Sequence, residues 1–241
     1  MSKSKIVLFG GNGFVGTAIA EELVHQNVEV ICVSRTGSMP VHLLNEQWAQ
    51  QVDWVKGDAL MPDTDLLIAA SAVITLIGSP PVPTFSKGAY EKQLMMNSEP
   101  NLAVIEAVKK SSVTRLVLLG AHLPNLVKTD KFAYAKGKRL CEEAAIEFAN
   151  SSNNRAAIVL KPTAIYGVRH SQSGKPINIG VVMKPIAGLQ SMLPNAARQY
   201  LPETIISVKA VASAAVNACL DDEFFGKFSV ISNQQIIDQE D

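Results

Sequence analysis

KIVLFGGNGFVGTAIAEEL, residues Lys5 to Leu23, opens with the apolar run Ile6-Val7-Leu8-Phe9, which predicts a short buried strand. Glycines follow at Gly10, Gly11, Gly13 and Gly16. Val15, Ala18, Ile19 and Leu23 then recur at helical spacing, so a helix packs back on the strand. Each glycine has its own task. Gly10 permits a tight turn, Gly13 lets the backbone approach a pyrophosphate, and Gly16 lets helix and strand come close. The helix N-terminus adds free N–H groups and a partial positive charge that suit phosphate.

Outward from this unit, the chain alternates strand and helix. Val28 to Val33 predicts a second strand, and Val52 to Gly57 a third. Between them, Ser38 to Gln51 reads as a polar connection with a short helix over Leu43 to Ala49. Asp65 to Ala72 predicts a helix, Val73 to Ile77 a fourth strand, and the proline-rich Ser79 to Gly88 a loop. A long helix is expected over Ala89 to Ser111 with a jog at Pro100. Arg115 to Leu119 predicts a fifth strand, Phe132 to Asn150 a helix, and Ala156 to Leu160 a sixth strand. His170 to Gly180 reads as a loop and Val181 to Met192 as an apolar segment. A short strand at Thr204 to Val208, a helix over Ala210 to Leu220 and a last strand at Phe228 to Ser232 follow. The polar Gln234 to Asp241 is expected to fray. This alternation implies an α/β fold, a doubly wound parallel sheet with right-handed crossovers.

Bulk composition narrows the function classes. The 241 residues are 47% hydrophobic, enough for one large α/β domain, with a small lobe built mainly from residues 168–205. Lys+Arg and Asp+Glu number 22 each, and no basic run appears, which argues against nucleic acid as partner. Cys32, Cys141 and Cys219 are far apart and odd in number, so neither a disulfide framework nor a metal site is expected. The first strand starts near Lys5, leaving no room for a signal peptide, and no apolar run reaches the length of a membrane span. A cytoplasmic protein in a reducing compartment is the expectation.

Two positions carry the chemistry. The second strand ends in Ser34-Arg35-Thr36, where a dinucleotide fold usually places an acid for the ribose hydroxyls. Here a guanidinium stands instead and suits a 2′-phosphate, so NADP is favoured over NAD; the other reading of Arg35 is a surface arginine. Tyr134 and Lys138 form a Tyr-x-x-x-Lys pair on one helix face. An ammonium near a phenol favours the phenolate and would make the tyrosine a proton donor and acceptor for a carbonyl/alcohol pair. The other reading is a surface lysine beside a half-buried tyrosine.

With these motifs the sequence resembles the short-chain dehydrogenase/reductase superfamily, in its extended and atypical branches. The resemblance runs from Lys5 to about Ser232 and includes Gly57-Asp58, Asn97, Asn101 and Lys161-Pro162-Thr163-Ala164-Ile165-Tyr166-Gly167. In overall texture it is similar to the members linked to respiratory complex I and ubiquinone metabolism. It implies a Rossmann-type sheet with a small C-terminal substrate lobe. It also implies roles by position. Gly10, Asn12, Gly13, Phe14, Val15 and Gly16 would hold the pyrophosphate, Asp58 and Ala59 the adenine, and Ile77 and Gly78 the adenosine ribose. Lys138 would bond the nicotinamide ribose, with Pro162 and Ile165 beside the nicotinamide, and Asn97 would lie under the site.

Two departures stand out. Family members usually carry Ser or Thr just after the fifth strand, where this chain reads Gly120-Ala121-His122. Either His122 substitutes as donor, or the site is weakened by the order of 10²–10³ in rate. The remainder after Gly167 is also short for a substrate lobe, and its Met-bearing Val181 to Met192 suggests an apolar or quinone-like small-molecule substrate, a peripheral membrane or protein-complex contact, or plain packing. Two functions therefore stand open. One is an oxidoreductase or epimerase-like enzyme passing hydride between nicotinamide and a small or apolar carbonyl or alcohol. The other is a non-catalytic NADPH-binding assembly or redox-sensing protein of quinone and respiratory metabolism.

Overall fold

The computed structural model describes residues 3–124, 128–179 and 205–238. Its strands are β1 (Lys5–Phe9), β2 (Glu29–Ser34), β3 (Val52–Lys56), β4 (Ala72–Thr75), β5 (Arg115–Leu119), β6 (Ala156–Lys161), β7 (Ile165–Tyr166), β8 (Val168–His170), β9 (Pro176–Asn178), β10 (Ile206–Ser207) and β11 (Phe228–Ser232). The helices are α1 (Phe14–His25), α2 (Lys87–Lys109), α3 (Ala133–Asn150), α4 (Val208–Leu220) and α5 (Asn233–Ile237).

Seven strands form one parallel sheet in the order β11-β6-β5-β4-β1-β2-β3. Side-chain alternation along each strand builds a core on either face. Ile6 and Leu8 of β1 join Ile19 and Leu23 of α1 and Val211 and Ala215 of α4. Val7 and Phe9 point the other way, toward Val104 and Val108 of α2 and Cys141 and Phe148 of α3. Burying a side chain of this size contributes about 1.5–3 kcal/mol. The winding reverses between β1 and β4, which opens the crevice at their carboxyl ends where such sheets take ligands. Two small pairings, β7 with β10 and β8 with β9, lie outside the main sheet.

Several expectations are corrected. Leu43 to Ala49 is not a helix; only 3-10 turns form, at Val41–Leu43 and Ala49–Gln51. Asp65 to Ala72 is not one either. A 3-10 turn at Thr64–Leu67, started by Asp63 accepting from the Asp65 N–H, gives way to Ala69 at φ +60, and Ala72 already belongs to β4. Residues 170–179 are not plain loop: they carry the end of β8 and all of β9, which pairs antiparallel with it. The tail does not fray at Gln234. Ser232 and Gln235 cap each other's backbone N–H, and fully buried Ile236 anchors α5. α2 continues through Pro100, whose missing N–H removes one helix hydrogen bond, that to the Met96 carbonyl. Val181 to Met192 lies outside the described residues. The three cysteines are free and buried, and burial pushes the thiols up, Cys141 to about 11 and Cys219 to about 12.

Candidate functional site

The sheet brings nearly every position singled out in the sequence to one edge, because all parallel strands release their loops on the same side. The β1–α1 turn is the tightest part. Gly10 holds φ +90, and a Cβ on Gly16 would stand 2.4 Å from the Gly10 carbonyl oxygen, so no larger residue fits there. Gly13 donates to that same carbonyl at 3.0 Å and occupies the N-cap of α1. No side chain caps this helix and no acid stands in its first turn, so its first N–H groups remain for an anion. A dinucleotide pyrophosphate fits this turn. Val15, partly buried, packs against the first core. Asn12 donates to the Thr36 hydroxyl at 3.3 Å and ties the glycine turn to the end of β2.

At that end Ser34 pairs in register with Lys56 of β3. Arg35, Lys56, Gly57 and Asp58 line a surface cleft. Lys56 is the residue that reading the sequence missed. Its signal is the strand register, which a linear sequence does not display. Asp58 spends one carboxylate oxygen on the Leu60 N–H at 2.9 Å, and Ala59 packs into the second core.

The far side of the crevice is fastened by two asparagines of α2. Asn101 accepts from Thr75 at 2.5 Å and donates to the Ile77 carbonyl at 2.9 Å. Asn97, fully buried, accepts from the Ser79 N–H at 3.0 Å and donates to the Ser79 hydroxyl at 2.8 Å. The loop carrying Ile77 and Gly78 is thereby held against α2. Lys138 of α3 stands near the same spot: its ammonium would lie 3.6 Å from a Cβ on Gly78. Its Nζ donates to the Leu119 carbonyl at 2.7 Å and sits 5.8 Å from the centre of the Tyr134 ring. Pro162 accepts from the His122 N–H at 2.8 Å, so the loops after β5 and β6 are joined. Ile165 packs against the first core.

The electrostatics differ from the expected lysine-activated phenol. Burial pushes Tyr134 up to about 12, and burial also pulls Lys138 down to about 8. The ammonium donates to the Leu119 carbonyl, and the phenol's shift is set by burial. At neutral pH a value this high leaves the Tyr134 phenol protonated.

Residues 6–183 match the NAD dependent epimerase/dehydratase family. An uncharacterized chloroplastic protein of Arabidopsis thaliana is 30% identical over 95% of this chain and 76% of its own length. A short-chain dehydrogenase/reductase family oxidoreductase from Burkholderia thailandensis superposes with a TM-score of 0.70 at 14% identity, covering all of this chain and 97% of that one. The Bordetella bronchiseptica enzyme WbmH, solved with NAD+, gives a TM-score of 0.65 at 17% identity over 96% of this chain and 76% of its own. The structural likenesses bear on fold.

Proposed function

The chain belongs to the NAD dependent epimerase/dehydratase family, and from that premise we propose that it is an NADP-dependent oxidoreductase or epimerase-like enzyme acting on a small carbonyl or alcohol substrate. The observation that supports this reading is that the uncapped glycine turn and the Tyr134/Lys138 pair meet at the loop after β4, where Gly10 lies by Ile77 and Lys138 by Gly78. Gly10, Gly13 and Gly16 with the first N–H groups of α1 hold the pyrophosphate. Arg35 and Lys56, two cations at the adjoining ends of β2 and β3, support a 2′-phosphate and hence NADP. Bound nicotinamide supplies the hydride chemistry. In the reductive direction Tyr134 gives its proton to the developing alkoxide. Lys138 bonds the nicotinamide ribose, and Asn97 keeps the Gly78-Ser79 loop in place beside it. His122 takes the position that Ser or Thr holds in the resembling enzymes.

That substitution supports the second reading, a non-catalytic NADPH-binding assembly or redox-sensing protein of quinone metabolism. The link to respiratory complex I rests on the resemblance. No helix among the described residues is long and apolar enough to cross a membrane. The chloroplastic relative supports an organellar rather than the expected cytoplasmic location. Tyr134→Phe separates the two functions. The enzyme reading expects turnover with NADPH to fall by the order of 10²–10⁴ while NADPH affinity, read by calorimetry, is unchanged. Unchanged turnover in this variant would sink it.

A further inference from the structure

A second concavity, about 260 Å³, shares Lys138 with the Tyr134/Lys138 pair and is walled by Ala121, Leu123 and residues 128–130, by Ala135, Lys138, Arg139 and Glu142 of α3, and by Lys161 at the end of β6. Five cations, Lys128, Lys136, Lys138, Arg139 and Lys161, line it against two carboxylates, Asp130 and Glu142. The whole chain carries no formal net charge, so this is a local excess.

The pairing inside the cleft is unequal. Lys161 is matched by Glu142 at 2.6 Å. Arg139 is pinned between Asp130 at 2.8 Å and Glu143 at 2.6 Å, which fixes its guanidinium. Tyr90 of α2 donates its hydroxyl to the Asp130 carbonyl and holds that loop from behind. Lys136 and Lys138 face no carboxylate within ion-pair distance among the described residues. Among the described lining residues, positive charge is thus left over at Lys136 and Lys138. One wall residue, Lys138, also stands 5.8 Å from the Tyr134 ring.

We propose that this cleft receives an anionic end of the substrate, a carboxylate or a phosphate, and so holds the reacting carbon toward Tyr134. The proposal rests on the reductase reading above and adds to it a substrate class. Lys136 supplies the uncommitted charge, Lys138 a second one shared with the cofactor side, and Arg139 a fixed rim. An anion in the cleft opposes by Coulomb attraction the burial penalty that pulls Lys138 down to about 8, so its ammonium form is favoured by the ligand.

The test uses the full chain saturated with NADPH, which keeps the pyrophosphate turn from taking the probe. Inorganic phosphate and, separately, succinate are titrated while the backbone amide resonances of Lys136 and Arg139 are followed. Saturable shifts at these residues are expected, with affinity about tenfold lower or worse in Lys136→Gln, the size of losing a hydrogen bond to a charged group. The better of the two probes identifies the source of the charge. Absent shifts in protein that binds NADPH, or titrations unchanged in both Lys136→Gln and Lys136→Glu, overturn the proposal. NADPH affinity is measured on the same sample, so failure of the cofactor reading shows there and not in the anion titration.

Discussion

The two sides of the crevice are built by different means. On the β1–α1 side the backbone makes the site: a turn at φ +90, a helix end without a side-chain cap, and a methyl-sized prohibition at Gly16. On the α2–α3 side, side chains make it: Asn97 and Asn101 hold the loop after β4, and burial sets the proton affinities of Tyr134 and Lys138. Glycines leave a readable trace because nothing else can occupy their positions. Proton affinities leave none, because they depend on what three-dimensional packing places around a group.

The contrast can be broken at its strongest point first. Gly16→Val drives a side chain into the Gly10 carbonyl and is expected to destabilise the fold by ~3 kcal/mol or more while abolishing NADPH binding. An unchanged denaturation midpoint would refute the backbone account. Asn97→Ala strands the Ser79 N–H and hydroxyl, with an expected loss of about 1–3 kcal/mol by urea denaturation. Its effect on NADPH affinity should be smaller than that of Gly16→Val, since the glycine turn stays whole.

Two pH experiments sharpen the side-chain half. Lys138 has a folded value of about 8 against its ordinary 10.5, so the folded state binds fewer protons in that interval. The burial penalty is fully present below about 8 and disappears toward 10.5. Wild-type stability should therefore rise across that window relative to Lys138→Met, and parallel curves would contradict it. The smallest effect is expected at His42, whose ring stacks on His170 with centroids 3.7 Å apart, joining the β2–β3 connection to the β8–β9 hairpin. Burial, with the neighbouring His170, lowers the His42 pKa from 6.5; Glu46 on the same connection opposes this. The stabilisation is full above 6.5 and is lost as pH falls through the lowered folded value. His170→Ala should make thermal stability less acid-sensitive, and an unaltered pH profile would contradict the contact.

How much the sequence disclosed follows the same division. Arg115–Leu119 and Phe228–Ser232 are found as expected, because each is a short apolar or β-rich run between turn signals. Asp65 to Ala72 misled because Leu66, Leu67 and Ile68 suit a helix as well as a turn that feeds a buried strand. The Ser232–Gln235 capping box has a local signature, Ser-x-x-Gln, which the expectation of a fraying tail leaves unused. Lys56 was hidden for a different reason. Only strand pairing sets it opposite Ser34, and nothing local announces a partner 22 positions away.

The position of β11 bears on how the chain is made. It is the last strand in sequence, yet it pairs with β6, which lies next to β5 in the sheet. During synthesis from the N-terminus, β1 to β6 can assemble while the outer edge of β6 still shows its unpaired amides and carbonyls. That edge stays open until residue 232 has left the ribosome, some 70 residues after β6. In this interval the open edge is β6, a wholly apolar strand apart from its last residue, whereas the edge that replaces it is the more polar and less buried β11, so the nascent chain shows the edge more prone to strand-to-strand association here.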